Sequence, residues 1–140
     1  MGDQIIDLHS WLQTPCGQYL LAWENQRAQA LVADIFGYHA LQLGLPELDA
    51  LEANRMPHRW LATEDQSPVP GPAWARLALQ CDFTALPFAS NSLDLLVLPH
   101  TLEFSADPHA TLREVERVLV PEGRVLVFGL NPTGLWALRQ

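Results

Sequence analysis

The 140-residue chain contains no lysine, and its 8 basic residues are all arginines. That excludes chemistry that depends on a lysine amine, including Schiff-base catalysis and the phosphate-binding P-loop. Positive charge is scarce altogether: 16 acidic residues leave a formal net charge of −8. So acidic a surface repels phosphate backbones, and no sequence-independent nucleic-acid binding is expected. Cysteine is limited to Cys16 and Cys81, which form no CxxC pair. No zinc site is expected from them, and each reads as a free thiol and small buried hydrophobe in a cytoplasmic protein. The five histidines (His9, His39, His58, His100 and His109) include no pair at metal-ligand spacing, so the metal expectation is none. No Ser-His-Asp or Cys-His arrangement can be argued. No apolar run approaches the roughly 18 residues that a membrane-spanning helix needs, so no membrane association is expected. The opening MGDQIIDLHS lacks the basic start of a secretory signal.

What is present is a 49% hydrophobic, 17% charged chain, enough to fill one core. A single domain over 1–140 is expected, with residues 1–18 as a lead-in. Leu20, Leu21, Trp23, Ala28, Leu31, Val32 and Ile35 recur at spacings of three and four, which predicts a helix from Gln18 to Ile35 stopped by Gly37. The run from Tyr38 to Pro46 reads as a buried strand and a tight turn, and Leu45 to Asn54 as a short helix. Arg59–Thr63 and Arg76–Cys81 read as further strands, separated by the proline-rich stretch Gln66–Pro72. Ser92 to Pro99 is a near-continuous apolar strand of the kind covered on both faces. Asp107 to Val120 is the clearest helix: Asp107 is a natural N-cap, Pro108 suits the first turn, and Leu112, Val115, Val118 and Leu119 form its stripe. Pro121-Glu122-Gly123 should stop it, and Arg124 to Leu130 reads as a fifth strand. Strands alternating with helices predict an α/β fold with a mostly parallel sheet.

The most informative stretch runs from Cys81 to Gly129. Within it, Leu86-Pro87-Phe88 stiffens a crossing, Asn91-Ser92 is turn chemistry, and Gly123 is free to take positive φ. The order of its pieces carries more than any one of them. Asp82 is followed by Leu86-Pro87-Phe88, Asn91-Ser92, the strand Leu93–Leu98, Arg113-Glu114, Arg117-Val118-Leu119, Pro121-Glu122-Gly123 and the strand Arg124–Phe128. This pattern closely resembles the second half of class I S-adenosylmethionine-dependent methyltransferases of the type 11 group. The resemblance implies their Rossmann-like fold, a mostly parallel sheet flanked by helices, with S-adenosylmethionine as cofactor and methyl transfer to a small-molecule or protein acceptor. It also implies seven strands, of which five can be counted here. On that count strands six and seven are expected to be missing, with self-association through the exposed C-terminal edge near Trp136.

The resemblance directs attention to particular residues. The cofactor loop should follow the first strand, where Leu41-Gln42-Leu43-Gly44-Leu45-Pro46 is the best match. Gly44 takes the first glycine position, Gln42 replaces the usual acid and Pro46 the second glycine. A rival placement on Asp34 and Gly37 fails because Asp34 falls within the helical pattern. Glu64 stands 20 positions beyond Gly44, where a Rossmann-like fold places the acid that holds ribose hydroxyls, with Asp65 as fallback. Asp82 and Phe83 follow the third strand, where the family holds adenine. His100 ends the fourth strand beside the expected methyl-transfer position. It is a candidate cofactor contact and a candidate general base. Glu103 reads as a helix-start or structural acid. Because Gln42 and Pro46 depart from the pattern, a catalytically silent methyltransferase-like binding module is the alternative. A nicotinamide enzyme is disfavoured, since no GxGxxG occurs.

Overall fold

The computed structural model describes residues 12–45, 48–64 and 78–129. The expectations for the lead-in through residue 11, Pro46, Asp65, the proline-rich stretch and the C-terminal segment with Trp136 lie outside them. Helix α1 spans Pro15–Val32. Thr14 caps it, its hydroxyl accepting from Gly17 N at 3.2 Å, and Pro15 follows in the first turn. The cap starts the helix three residues earlier than the apolar pattern suggests, and the helix also ends earlier, before Ile35. Its buried row is Gly17, Leu20, Glu24, Ala28 and Val32, so an acid occupies a position that spacing alone assigns to the core.

Five strands follow: β1 His39–Leu43, β2 His58–Thr63, β3 Ala78–Gln80, β4 Leu93–Pro99 and β5 Leu119–Phe128. They form one sheet in the order β3-β2-β1-β4-β5, and every neighbouring pair is parallel. The order reverses between β1 and β4, where Leu41 pairs with Leu96. Such a reversal opens a crevice at the strands' carboxyl ends, the usual ligand position in open α/β sheets. Alternate residues feed two cores. Ala40, Leu95, Val97, Leu126 and Phe128 pack with α1 on one face. Leu41, Leu43, Leu96 and Leu98 pack with Val115 and Val118 on the other.

Between β1 and β2 the described part of the expected Leu45–Asn54 helix, residues 48–54, is not helical and runs through turns. Bonds of the i→i+3 kind run from Leu48 N to Leu45 O, Glu52 N to Asp49 O and Asn54 N to Leu51 O. The buried Gln42 side chain explains the change. Its Nε2 donates to the carbonyls of Gly44, Leu45 and Leu48 at 2.9, 3.0 and 2.8 Å, and its Oε1 accepts from Ala50 N at 3.1 Å. The side chain thus offers the loop's backbone groups a partner outside any helical ladder. Gln29 of α1 supports the same loop, donating to Asp49 O and accepting from Ala53 N, both at 2.6 Å.

Helix α2 spans Pro108–Val118, with Asp107 accepting from Ala110 N at 3.0 Å as its cap. Its buried residues are Thr111, Val115 and Val118. Leu112, expected in the stripe, is 41% exposed; the sheet-facing row runs through Thr111 instead. The expected stop at Pro121-Glu122-Gly123 is not a stop. The chain enters β5 at Leu119, and the register slips between Leu93↔Leu119 and Leu95↔Arg124, so those three residues form an irregularity inside the strand. Gly123 does not use the positive φ open to it; a Cβ there would lie 2.8 Å from Leu119 Cδ2 and 3.0 Å from Val120 O, so a larger residue needs the Leu119 side chain to move.

Two joints lock the sheet's surroundings. Glu114 Oε1 accepts from Leu86 N at 2.8 Å while Arg117 Nη2 donates to Leu86 O at 3.0 Å. Arg117 and Glu114 are themselves paired at 2.9 Å. The Leu-Pro-Phe and Arg-Glu…Arg-Val-Leu pieces of the sequence pattern are therefore one hydrogen-bonded joint. At the amino end of β4, Asp94 Oδ2 accepts from Tyr38 N at 2.9 Å and His39 N at 3.1 Å. Among the described residues no helix is long and apolar enough to cross a membrane.

Candidate functional site

The carboxyl ends of β1 to β4 bring the candidate residues together. Gly44 follows β1 with φ +85°, and a Cβ there would lie 3.8 Å from the Phe83 ring. Leu45 continues the bend at φ 50°, an unusual conformation for a leucine, and its carbonyl is among those held by Gln42. The β1 end and the loop after β3 thus approach each other, the space beside Gly44 facing the Phe83 ring. Glu64, just past β2, accepts from Phe83 N through Oε2 at 3.0 Å. This bond ties the β2 end to the same loop, and the exposed Glu64 keeps a second carboxylate oxygen.

Asp82 is exposed, and its Oδ1 accepts from Thr84 N at 2.8 Å and Thr84 Oγ1 at 2.7 Å. The Thr84 hydroxyl, then the Thr84 amide, hold its carboxyl below the ordinary range. Cys81 lies beside both acids. Burial, then the charges of Glu64 and Asp82, push its thiol up to about 11, so it stays protonated at neutral pH. Cys16 is exposed on α1, contrary to the buried placement expected for it.

The β4 end carries the most unusual arrangement. His100 takes φ 58°, its amide donating to Phe128 O at 2.8 Å. The ring is buried between two acids, with Nε2 2.6 Å from Glu24 Oε2 and Nδ1 3.0 Å from Glu103 Oε1. Burial alone would drive the ring toward neutrality. The hydrogen bonds to Glu103 and Glu24, reinforced by both charges, more than reverse this and raise the pKa to about 9. His100 is therefore an imidazolium at neutral pH, with both nitrogens engaged. Next to it Thr101 Oγ1 donates to Leu43 O at 2.6 Å, fastening the β4 loop to β1 across the sheet's reversal.

Gly44, Glu64, Phe83 and His100 therefore lie at one end of the sheet. Gln42 lies beneath them, its amide spent on the loop. Sequence reasoning missed Glu24, which sat among the polar residues of its helix. The available signal was its spacing of four from both Leu20 and Ala28. Among the described residues no cluster of three or more His, Cys, Asp or Glu suits a metal ion. A groove of about 740 Å³ opens at the other end of the sheet, between Asp34 and Phe36 beyond α1, Asp94 and Arg124. It holds none of these residues and is not the candidate site.

Comparison with known proteins agrees with the geometry. A family model described as a methyltransferase domain matches residues 56–127. The uncharacterized protein YafS of Escherichia coli (strain K12) is 33% identical over 132 residues, covering 93% of this chain and 51% of that protein. A malonyl-[acyl-carrier protein] O-methyltransferase of Laribacter hongkongensis (strain HLHK9) is 33% identical over 111 residues, covering 75% of this chain and 37% of that enzyme. The chain thus spans about half the length of the first relative and less of the second. Among solved structures, the complex of the Haloferax volcanii Trm112 methyltransferase activator with a methyltransferase matches with TM-score 0.61 at 24% identity, over 86% of this chain and 58% of the matched one. At that identity the match speaks for the fold. With the family model covering half the chain and the sheet in the same architecture, this chain belongs to the methyltransferase domain family, in the class I, type 11 group that its motifs resemble.

Proposed function

We propose that this chain binds S-adenosylmethionine at the carboxyl ends of β1 to β4 and directs its methyl group to an acceptor. The observation that carries this reading is the meeting of Gly44, Glu64 and Phe83 at the sheet's reversal, through the Phe83 N–Glu64 bond at 3.0 Å and the Gly44–Phe83 approach. The residues present fit such a cofactor. Glu64 offers a carboxylate oxygen to ribose hydroxyls, Asp82 a carboxylate to an exocyclic amine, and Phe83 an apolar ring edge to a purine. The acids at this end suit a ligand that carries positive charge. When bound, the cofactor supplies a methyl group on a sulfonium, a good leaving group. The chain's task is then to align the reactants and exclude water.

In this reading His100 positions the β4 loop and does not take a proton from the acceptor, because both ring nitrogens are engaged by carboxylates. An acceptor that is already ionised needs no base. The named activity of the Laribacter relative makes a malonyl-acyl carrier protein one acceptor to screen, beside small molecules and other proteins. A cytoplasmic location, absence of nucleic-acid and membrane partners, and self-association through β5, the end strand of the described sheet, complete the proposal.

Calorimetric titration with S-adenosylmethionine and S-adenosylhomocysteine, with NAD as control, tests it. Micromolar binding of the first two and none of NAD is the expected result. No binding to folded protein would refute it and favour a silent binding module. That second reading draws on one observation: the Gln42 amide turns the carbonyls of the β1 loop inward.

A further inference from the structure

A proline stands where the centre of the sheet needs a donor. β4 lies between β1 and β5 and ends in Pro99. Proline brings no N–H and is ordinarily kept to edge strands. On the β5 side the pairing survives through Pro99↔Phe128, and His100 N donates to Phe128 O at 2.8 Å. On the β1 side it stops at Gln42↔Val97. The alternation of backbone groups along β1 gives the reason. His58 N donates to Tyr38 O at 3.1 Å and Gly44 N to Ala62 O at 2.7 Å, so the even-numbered positions turn toward β2. Leu41 and Leu43 therefore turn their N–H and C=O groups toward β4. With Gln42 opposite Val97, the nitrogen next in line to donate to Leu43 O is that of Pro99. It carries no hydrogen.

Thr101 supplies the missing donor. Beyond Pro99 the chain turns through His100 at φ 58°, and the Thr101 hydroxyl donates to Leu43 O at 2.6 Å. Its branched Cβ restricts χ1, so the hydroxyl is held in place at little entropic cost. The carbonyl it binds belongs to the peptide that leads into the Gly44 turn. That peptide is gripped on both sides, at its oxygen by Thr101 and at its N–H by Ala62 O. Gly44 takes φ +85°, yet a glycine by itself favours neither sign of φ. The sense of the turn is therefore imposed by the contacts on this peptide. One of them is ordinary strand pairing, and the other is a single side chain.

We infer that Thr101 is a positioning residue of the candidate site: its hydroxyl replaces the ladder donor that Pro99 lacks and fixes the peptide plane entering the Gly44 turn. Thr101 touches no reacting atom in this role and acts through Gly44. For its effect on ligand binding, the inference rests on the reading of S-adenosylmethionine as the ligand.

Three substitutions separate the donor from the shape. Thr101→Val removes the hydroxyl and keeps the branching, and Thr101→Ser keeps the hydroxyl. Pro99→Ala returns an N–H to the strand, which should make the hydroxyl dispensable. These variants and Pro99→Ala/Thr101→Val are titrated calorimetrically with S-adenosylhomocysteine. Amide exchange is followed at Gly44, whose N–H is bound to Ala62 O. Thr101→Val should bind roughly tenfold more weakly than wild type and exchange the Gly44 amide roughly tenfold faster. Thr101→Ser should stay within about threefold of wild type in both. The double variant should return to within about threefold of Pro99→Ala alone. Equal affinity in Thr101→Val and wild type, a comparable loss in Thr101→Ser, or a loss that Pro99→Ala leaves uncorrected overturns the inference. If Thr101→Val does not fold, the double variant decides: folding with recovered binding supports the inference, and failure of either overturns it. If the wild type does not bind S-adenosylhomocysteine, the cofactor reading fails and exchange decides alone. Gly44 exchange that quickens in Thr101→Val and recovers in the double variant then sustains the held turn, and any other pattern rejects it.

Discussion

Glu24 and His100 meet at 2.6 Å across 76 positions of sequence, joining the middle of the first helix to the end of the fourth strand. With Glu103 on its other side, the ring has a folded-state pKa of about 9 against an ordinary 6.5. Between those values the folded chain holds a proton that the unfolded chain has released, so stability must fall as pH rises. The contribution is complete below about pH 6.5 and lost through about pH 9, and amounts to on the order of 2–3 kcal/mol. Urea unfolding at a series of pH values should show this decline, and His100→Gln should flatten it. A wild-type profile flat from pH 6.5 to 9 would contradict the ion cluster.

Gln42→Glu is expected to be more damaging than its size suggests. The carboxylate cannot donate to the Gly44, Leu45 and Leu48 carbonyls, and it buries a charge facing them. A loss of about 2–4 kcal/mol is expected from the unpaired groups, measured by chemical denaturation. Amide exchange should speed up at Ala50, whose N–H loses its neutral partner's geometry. Stability equal to wild type would show that the loop does not depend on the amide.

Gly37→Ala should break the joint at the amino end of β4. An added Cβ would lie 2.5 Å from Asp94 Cγ, so Asp94 must leave the Tyr38 and His39 amides. A cost of about 1–3 kcal/mol is expected. Asp94→Ala should cost a similar amount, and the double variant should cost much less than the two together, because both remove one interaction. Additive losses would contradict the shared joint.

Glu114→Ala should free Leu86 without unfolding α2. The carboxylate holds Leu86 N and also the Arg117 group that holds Leu86 O. Its pKa is lowered chiefly by the Arg117 hydrogen bond, with Leu86 N adding to it, so the ion form is the one that binds. Hydrogen exchange at Leu86 should accelerate while that of Val115 stays slow. Unchanged exchange at Leu86 would place its protection elsewhere.

Much of the fold could be read from the residues. The apolar run Leu93–Pro99 is a central strand, and Asp107-Pro108 opens a helix as capping chemistry requires. Local rules failed where a distant side chain overrode them. Leu45–Asn54 has a helix-like composition, but Gln42 binds the Leu45 and Leu48 carbonyls and the Ala50 amide. Pro121-Glu122-Gly123 has stop chemistry, but pairing with β4 draws it into a strand as an irregularity. The site followed the same division. The strand-end positions of Gly44, Glu64, Phe83 and His100 were legible because periodicity marks where strands stop and the family resemblance says which residue to look at beyond each stop. Glu24 was not, because its significance comes from His100, far away in the chain.

The sheet's order also bears on how the molecule assembles in time. Leu96 pairs with Val125 through the short β4-α2-β5 passage, but with Leu41 only after the chain has doubled back over two strands. Closing the longer loop costs more entropy, so the β4-α2-β5 unit is expected to nucleate and β1 to dock afterwards. Core truncations at Val115 or Leu126 should then slow folding, whereas one at Leu41 should mainly speed unfolding. The crevice between β1 and β4 would be the last part to close, leaving the ligand-facing end of the molecule the most sensitive to incomplete folding.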